Sequence, residues 1–180
     1  MIEFGGGTAL LVFITLQRIA ELWWAKRNER GLFAAGGIEY GRSHLPLIVC
    51  LHASWLVGMW VLAYDRPIDP LFLAIVVVLQ IGRFWVLVTL GRRWTIRIIV
   101  VPGEKLVARG PYRLMRHPNY AVVVGEFAAV PLALGLPFYA LVFTILNAAV
   151  LAIRIPAENA ALTGAASGQI GKSIGAVGAR

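Results

Sequence analysis

The sequence predicts an all-α fold: a polytopic transmembrane helical bundle of about five membrane segments, the last two forming a tight helical hairpin. Three observations carry this reading. Hydrophobic residues make up 59% of the chain and charged residues 14%, where soluble domains average about 45–50% and about 25%. The mean hydropathy is +0.75. The charges are bunched between long apolar runs, which leaves a soluble core of this size without a polar coat.

The first run, Phe4–Trp24, carries Arg18 and Glu21 near its end. Glu3 is the only charge before it, so the basic flank of a cleaved signal peptide is missing and the run reads as a retained anchor. A polar stretch from Lys26 to His44 leads to the second run, Leu45–Tyr64. The linker Asp65-Arg66-Pro67-Ile68-Asp69-Pro70 reads as a loop because of its prolines. The third run, Leu71–Leu90, is interrupted by Gln80 and Arg83. Each run is close to the roughly 20 residues that cross about 30 Å of hydrocarbon. Gly91–Asn119 is the most polar part, with Arg92, Arg93, Arg97, Lys105, Arg109, Arg113 and Arg116. Inside it, β-branched Thr95–Val101 suits a short strand or extended stretch, and Pro102-Gly103 a turn. The last run, Tyr120–Ile153, holds one charge, Glu126. One helix of that length would reach about 50 Å, which overshoots the bilayer, and Pro131, Gly135 and Pro137 sit in its middle. It reads as a hairpin with two short arms, turning near Gly135-Leu136-Pro137. Residues 163–180 are rich in small side chains without helical period and are expected to form a flexible tail after a single membrane domain, 1–162.

Net charge is +8 and the sequence pI near 10.4. Because the basic residues sit in the loops between apolar runs, they fit anionic lipid, and no nucleic-acid partner is expected. They also alternate. Lys26, Arg27, Arg30 and Arg42 follow the first run, Arg66 alone follows the second, the seven named above follow the third, and the hairpin tip has none. This places the N-terminus outside and the C-terminus in the cytoplasm. Cys50 is the single cysteine, so no intramolecular disulfide or cysteine-based metal cluster is expected, and it reads as a small buried hydrophobe. Gly5-Gly6-Gly7 lacks the strand-turn-helix setting of a nucleotide loop, and no metal motif is present.

Polar groups at membrane depth are costly and are functional candidates by default. Arg18 and Glu21 have the spacing of an ion pair on one helix face. His52 reads as a hydrogen-bonding group inside the bundle, and Asn147 as a helix–helix contact. Arg83 and Glu126 have two readings of equal weight, an ion pair across helices or part of a substrate-binding pocket. Two clusters are more informative. Gly110-Pro111-Tyr112-Arg113-Leu114-Met115-Arg116-His117-Pro118-Asn119-Tyr120 combines basic, aromatic and imidazole groups just before a membrane helix. It suits either a polar ligand held at the interface or a basic interfacial loop with an aromatic belt. Arg154-Ile155-Pro156-Ala157-Glu158-Asn159 follows the last run, and Arg154 and Glu158 share a face if the helix continues past Pro156.

At these two clusters the sequence resembles the isoprenylcysteine carboxyl methyltransferase family. Its signature is a Gly-x-Tyr…Arg-His-Pro-x-Tyr segment ahead of a membrane hairpin and an Arg-x-x-x-Glu-Glu type segment after it. Here these stand as Gly110-Pro111-Tyr112, Arg116-His117-Pro118-Asn119-Tyr120 and Arg154-Ile155-Pro156-Ala157-Glu158-Asn159, with Asn159 in place of the second acid. Gly82-Arg83 and Leu90-Gly91-Arg92-Arg93-Trp94 also look like the family, and Glu39-Tyr40-Gly41 with His44 looks like a bacterial subgroup. The resemblance covers about residues 70–162, the expected catalytic core.

It implies an enzyme of a bacterial-type plasma membrane that uses S-adenosyl-L-methionine without a Rossmann domain and without a metal, its active site facing the cytoplasm. Tyr112, Arg116, His117, Pro118 and Tyr120 would line the cofactor site. Arg154 and Glu158 would be catalytic and hold the acceptor, with Arg83 and Glu126 as candidate substrate-binding residues. The expected partners are membrane lipids and a lipidic or prenylated acceptor, an isoprenylcysteine-like carboxyl group first. The His-Pro motif is shared with phospholipid methyltransferases, so a phospholipid amine or a long-chain polyketide hydroxyl is the alternative acceptor. A non-enzymatic scaffold or transporter subunit is the rival of a different class.

Overall fold

The computed structural model describes residues 5–166. Five helices follow one another: α1 (Gly6–Ala34), α2 (Leu45–Ala63), α3 (Pro70–Leu90), α4 (Pro118–Ala133) and α5 (Pro137–Ala166). Two three-residue strands, β1 (Ile38–Tyr40) and β2 (Ile98–Val100), form a small antiparallel ribbon in the loops between α1 and α2 and between α3 and α4. The all-α reading holds. Four helical stretches are long and apolar enough to cross a membrane, and α4, with 16 residues, is the short one.

The helix boundaries have local causes. Asp69 caps α3, its carboxylate accepting from the backbone N–H of Leu71 (2.9 Å) and Phe72 (3.2 Å). Pro70, Pro118 and Pro137 each open a helix, where a missing N–H costs nothing. The α4–α5 turn falls at the expected Gly135-Leu136-Pro137. Gly135 adopts φ +68°, Leu136 N–H donates to Pro131 O (2.9 Å) and Gly135 N–H to Leu132 O (3.0 Å), the paired closure of a left-handed helix cap.

Three expectations are corrected. The first helix does not stop near Trp24 but runs on to Ala34, because Ala25, Asn28 and Leu32 keep an inward face below the charged residues. The hairpin arms are unequal: α5 has 30 residues and passes through Pro156. Packing of Ala157, Ala161 and Leu162 against Tyr40, Ile98 and Val100 of the ribbon supports that continuation. Cys50 is exposed rather than buried. As for the expected tail, residues 163–166 continue α5, and residues 167–180 lie outside the described residues.

The core is formed by all five helices, with Leu11, Ile14, Met59, Val76, Val130 and Val150 among its buried members. Trp55 of α2 stacks on Phe127 of α4 at 4.7 Å. At Gly125 a Cβ would come within 2.6 Å of Leu79, so glycine lets α3 and α4 approach closely. The outer face is apolar as well, with Phe84 68% and Phe138 78% exposed. A bundle that is apolar inside and out has hydrocarbon as its solvent.

Candidate active site

Among the described residues, the interior of the apolar bundle holds one charged cluster. Arg18 and Glu21 of α1, Arg83 of α3 and Glu126 of α4 form a buried network of two cations and two anions. Arg83 Nε donates to Glu126 Oε1 at 2.7 Å, and Arg83 Nη1 lies 3.1 Å from Glu21 Oε2. Gln80 and Gln17 donate to Glu126 (3.0 Å) and Glu21 (2.9 Å). Opposite charges and amide donors together offset the cost of taking these ions out of water. The structure thus brings Arg83 and Glu126 together as an ion pair across helices, and neither lines the cleft described next. His52 bonds within the bundle, its Nδ1 3.0 Å from Ile48 O. Asn147 is buried, and its Nδ2 has no partner among the described residues.

The two sequence clusters meet elsewhere. Gly110–Arg113 forms a 3-10 turn, His117 occupies the N-cap position of α4, and Tyr120 sits in that helix's first turn. The second half of α5 brings Arg154, Glu158 and Asn159 alongside. Between them, under the ribbon, lies a cleft of about 610 Å³. Tyr112, Arg116, His117, Tyr120, Arg154 and Glu158 all line it. Pro118 is buried beside it and sets the start of α4.

Arg154 and Glu158 do share a face, and Tyr120 joins them. Arg154 Nε donates to the Tyr120 hydroxyl at 2.8 Å, and that hydroxyl donates to Glu158 Oε2. Arg154 Nη2 donates to the Ile96 carbonyl. Two nitrogens of a planar guanidinium are therefore held, which fixes the direction of the third; Nη1 has no protein partner among the described residues. Beside this relay, His117 Nε2 donates to Asn159 Oδ1 at 2.9 Å, and its Nδ1 lies 3.9 Å from Glu158 Oε1. The residue standing in place of the family's second acid thus orients the imidazole. The His117 and Tyr120 rings lie 5.4 Å apart. Burial raises the Tyr112 phenol well above its ordinary value, and the Glu158 charge adds to the rise, so Tyr112 is neutral at physiological pH.

Sequence reasoning missed the roof. Ile98, Ile99, Val100 and Val101 line the cleft, as do Lys105 and Asn119. The β-branched run Thr95–Val101 signals the strand itself, but its partner lies in the polar stretch after α1, about sixty residues upstream. Among the described residues no group of three or more His, Cys, Asp or Glu side chains is placed to hold a metal ion.

The cleft suits S-adenosylmethionine in size and donor chemistry. Its volume falls within the roughly 300–1,000 Å³ of small-molecule sites. The Glu158 carboxylate and the Tyr120 and His117 rings favour a sulfonium cation. Exposed Arg116 and Lys105 suit an amino-acid carboxylate.

An uncharacterized protein of Bacillus subtilis (strain 168), YpbQ, is 39% identical over 158 residues, 85% of this chain and 94% of that protein. An uncharacterized protein of Haemophilus influenzae is 26% identical over 143 residues, covering 76% of this chain and 83% of the relative. No solved structure matches the chain. Residues 72–164, which contain α4 and every residue of the Arg154–Tyr120–Glu158 relay, match the sequence model of one family. The chain belongs to the isoprenylcysteine carboxyl methyltransferase (ICMT) family.

Proposed function

We propose that this protein transfers a methyl group from S-adenosylmethionine to a lipidic acceptor at the cytoplasmic face of the membrane, with an isoprenylcysteine-like carboxyl group as the first acceptor class. The observation that carries the reading is the Arg154–Tyr120–Glu158 relay at the wall of an interfacial cleft. When bound, the cofactor supplies a methyl group already activated on a sulfonium, so the protein's task is orientation more than activation. Arg154, held at Nε and Nη2, offers Nη1 to an acceptor oxygen. Tyr120 keeps Arg154 and Glu158 at fixed separation. His117, turned by Asn159, closes the cleft beside them. A carboxylate acceptor needs no base.

One observation favours a second reading. Glu158 stands in the cleft with Tyr120 bonded to it, and a fixed carboxylate repels an anionic acceptor but can take a proton from a neutral one. A weakly acidic hydroxyl on a long hydrocarbon chain fits that arrangement, with its proton passing to Glu158 as the oxygen–methyl bond forms.

Calorimetry with S-adenosylhomocysteine on detergent-purified protein tests the cofactor site, comparing wild type with His117→Ala. Binding that weakens in the variant supports the reading, and a folded wild type that binds nothing at high ligand concentration sinks it in favour of a membrane scaffold. Methyl incorporation into an S-prenylated N-acylcysteine or into a long-chain phenol then separates the two acceptor classes.

A further inference from the structure

The ribbon over the cleft is assembled from two distant parts of the chain. β2 belongs to the family-matched range, whereas β1 and the end of α1 lie before residue 72. The register pairs Ile38 with Val100, Glu39 with Ile99 and Tyr40 with Ile98. One side chain ties this upstream segment to the site. Arg97 Nη1 lies 3.0 Å from Glu39 Oε2 and 3.1 Å from Oε1, while its Nε lies 3.3 Å from Glu29 Oε2. One guanidinium thus joins the end of α1 to both strands of the ribbon.

Arg97 also adjoins the residue whose carbonyl holds Arg154. Thr95 Oγ1 donates to the Arg97 carbonyl at 2.7 Å, which closes a small loop around Ile96. The Ile96 carbonyl accepts from Arg154 Nη2. A continuous path therefore runs from Glu29 and Glu39 through Arg97 and the Ile96 peptide to Arg154, Tyr120 and Glu158.

We propose that Arg97, clamped by Glu29 and Glu39 from outside the family-matched range, is a positioning residue that sets the Ile96 carbonyl and through it the direction of Arg154 Nη1 towards the acceptor. This rests on the methyltransferase reading above. The Arg97 side chain is 32% exposed and its two carboxylate partners 14% each, so the pairs stay within reach of solvent and add modestly to stability. Its removal therefore acts on orientation, where a displacement of about 1 Å can cost roughly 100-fold in rate.

The test compares wild type, Arg97→Ala, Arg97→Lys and Glu29→Gln/Glu39→Gln in lipid nanodiscs. The readouts are S-adenosylhomocysteine affinity, melting temperature, kcat and KM on whichever of the two acceptor probes the wild type methylates, and amide hydrogen exchange over residues 95–101. In Arg97→Ala and the double variant, kcat should fall by roughly tenfold or more, with cofactor affinity and melting temperature held. Exchange over 95–101 should quicken. Arg97→Lys should recover part of the rate, because an ammonium still pairs with the carboxylates but lacks the fork. Wild-type kcat in Arg97→Ala overturns the proposal, and so does a loss of affinity, melting temperature and rate in step. A wild type that binds no S-adenosylhomocysteine defeats the methyltransferase reading alone; the clamp is then decided by exchange, and unchanged protection of 95–101 in Arg97→Ala overturns it.

Discussion

Tyr120 is the residue on which the cleft's polar geometry turns, because its single hydroxyl both accepts from Arg154 and donates to Glu158. Tyr120→Phe keeps the ring and removes that junction. Leaving two charged groups short of a partner costs roughly 1–3 kcal/mol, so methyl transfer should drop by about 10- to 100-fold, with the ring's contribution to S-adenosylhomocysteine binding largely kept. Parallel rate and calorimetric titrations check this. Glu126 works differently. Its side chain is fully buried and neutralises both Arg18 and Arg83. Glu126→Gln leaves Arg18 and Arg83 with Glu21 alone between them, a net buried positive charge, and should destabilise the bundle by roughly 3–5 kcal/mol, seen as a lower midpoint in detergent unfolding. The double variant Arg83→Met/Glu126→Leu should be less harmful than that single change. The residue types of both clusters were legible in the sequence. Their partners were not, since Arg83 and Glu126 have two readings of equal weight in the sequence and the contact between them is visible only where α3 and α4 cross.

At the scale of elements, the α4–α5 hairpin decides whether the two motif segments meet. Its turn was readable because Pro131, Gly135 and Pro137 punctuate an apolar run too long for one span. Gly135→Ala places a side chain in the left-handed region at φ +68°, at a cost of about 1–2 kcal/mol. The expected result is a lower melting temperature with an unchanged Kd for S-adenosylhomocysteine in the folded fraction, since the turn lies at the far end of the hairpin from the cleft. The unequal arms were not legible. Pro156 predicts a helix end by its missing N–H, yet Ala157, Ala161 and Leu162 find partners on the ribbon and α5 continues. The ribbon depends on a pairing across about sixty residues, which no local pattern announces.

At the scale of the whole molecule, the alternation of basic loops predicts an orientation with the N-terminus outside and the cleft on the cytoplasmic side. In a Cys50→Ser background, a cysteine at Arg66 should react with an impermeant maleimide from outside intact cells, and one at Arg113 only after permeabilisation. The reverse pattern would put the cleft on the outer face and refute the proposed cytoplasmic site. By itself, the sequence determined the solvent, the number of helical segments, the hairpin and the residues of the two motifs. Each of these depends on local composition and spacing, which the physics of hydrocarbon burial and backbone geometry converts directly into structure. Only the tertiary structure decided that Arg83 and Glu126 pair away from the cleft, that Asn159 turns His117, and that a strand from beyond the family-matched range pairs with the strand that lines the site. These are contacts between residues far apart in the chain, fixed by how helices cross and which buried charges must find a partner, and composition does not encode them locally.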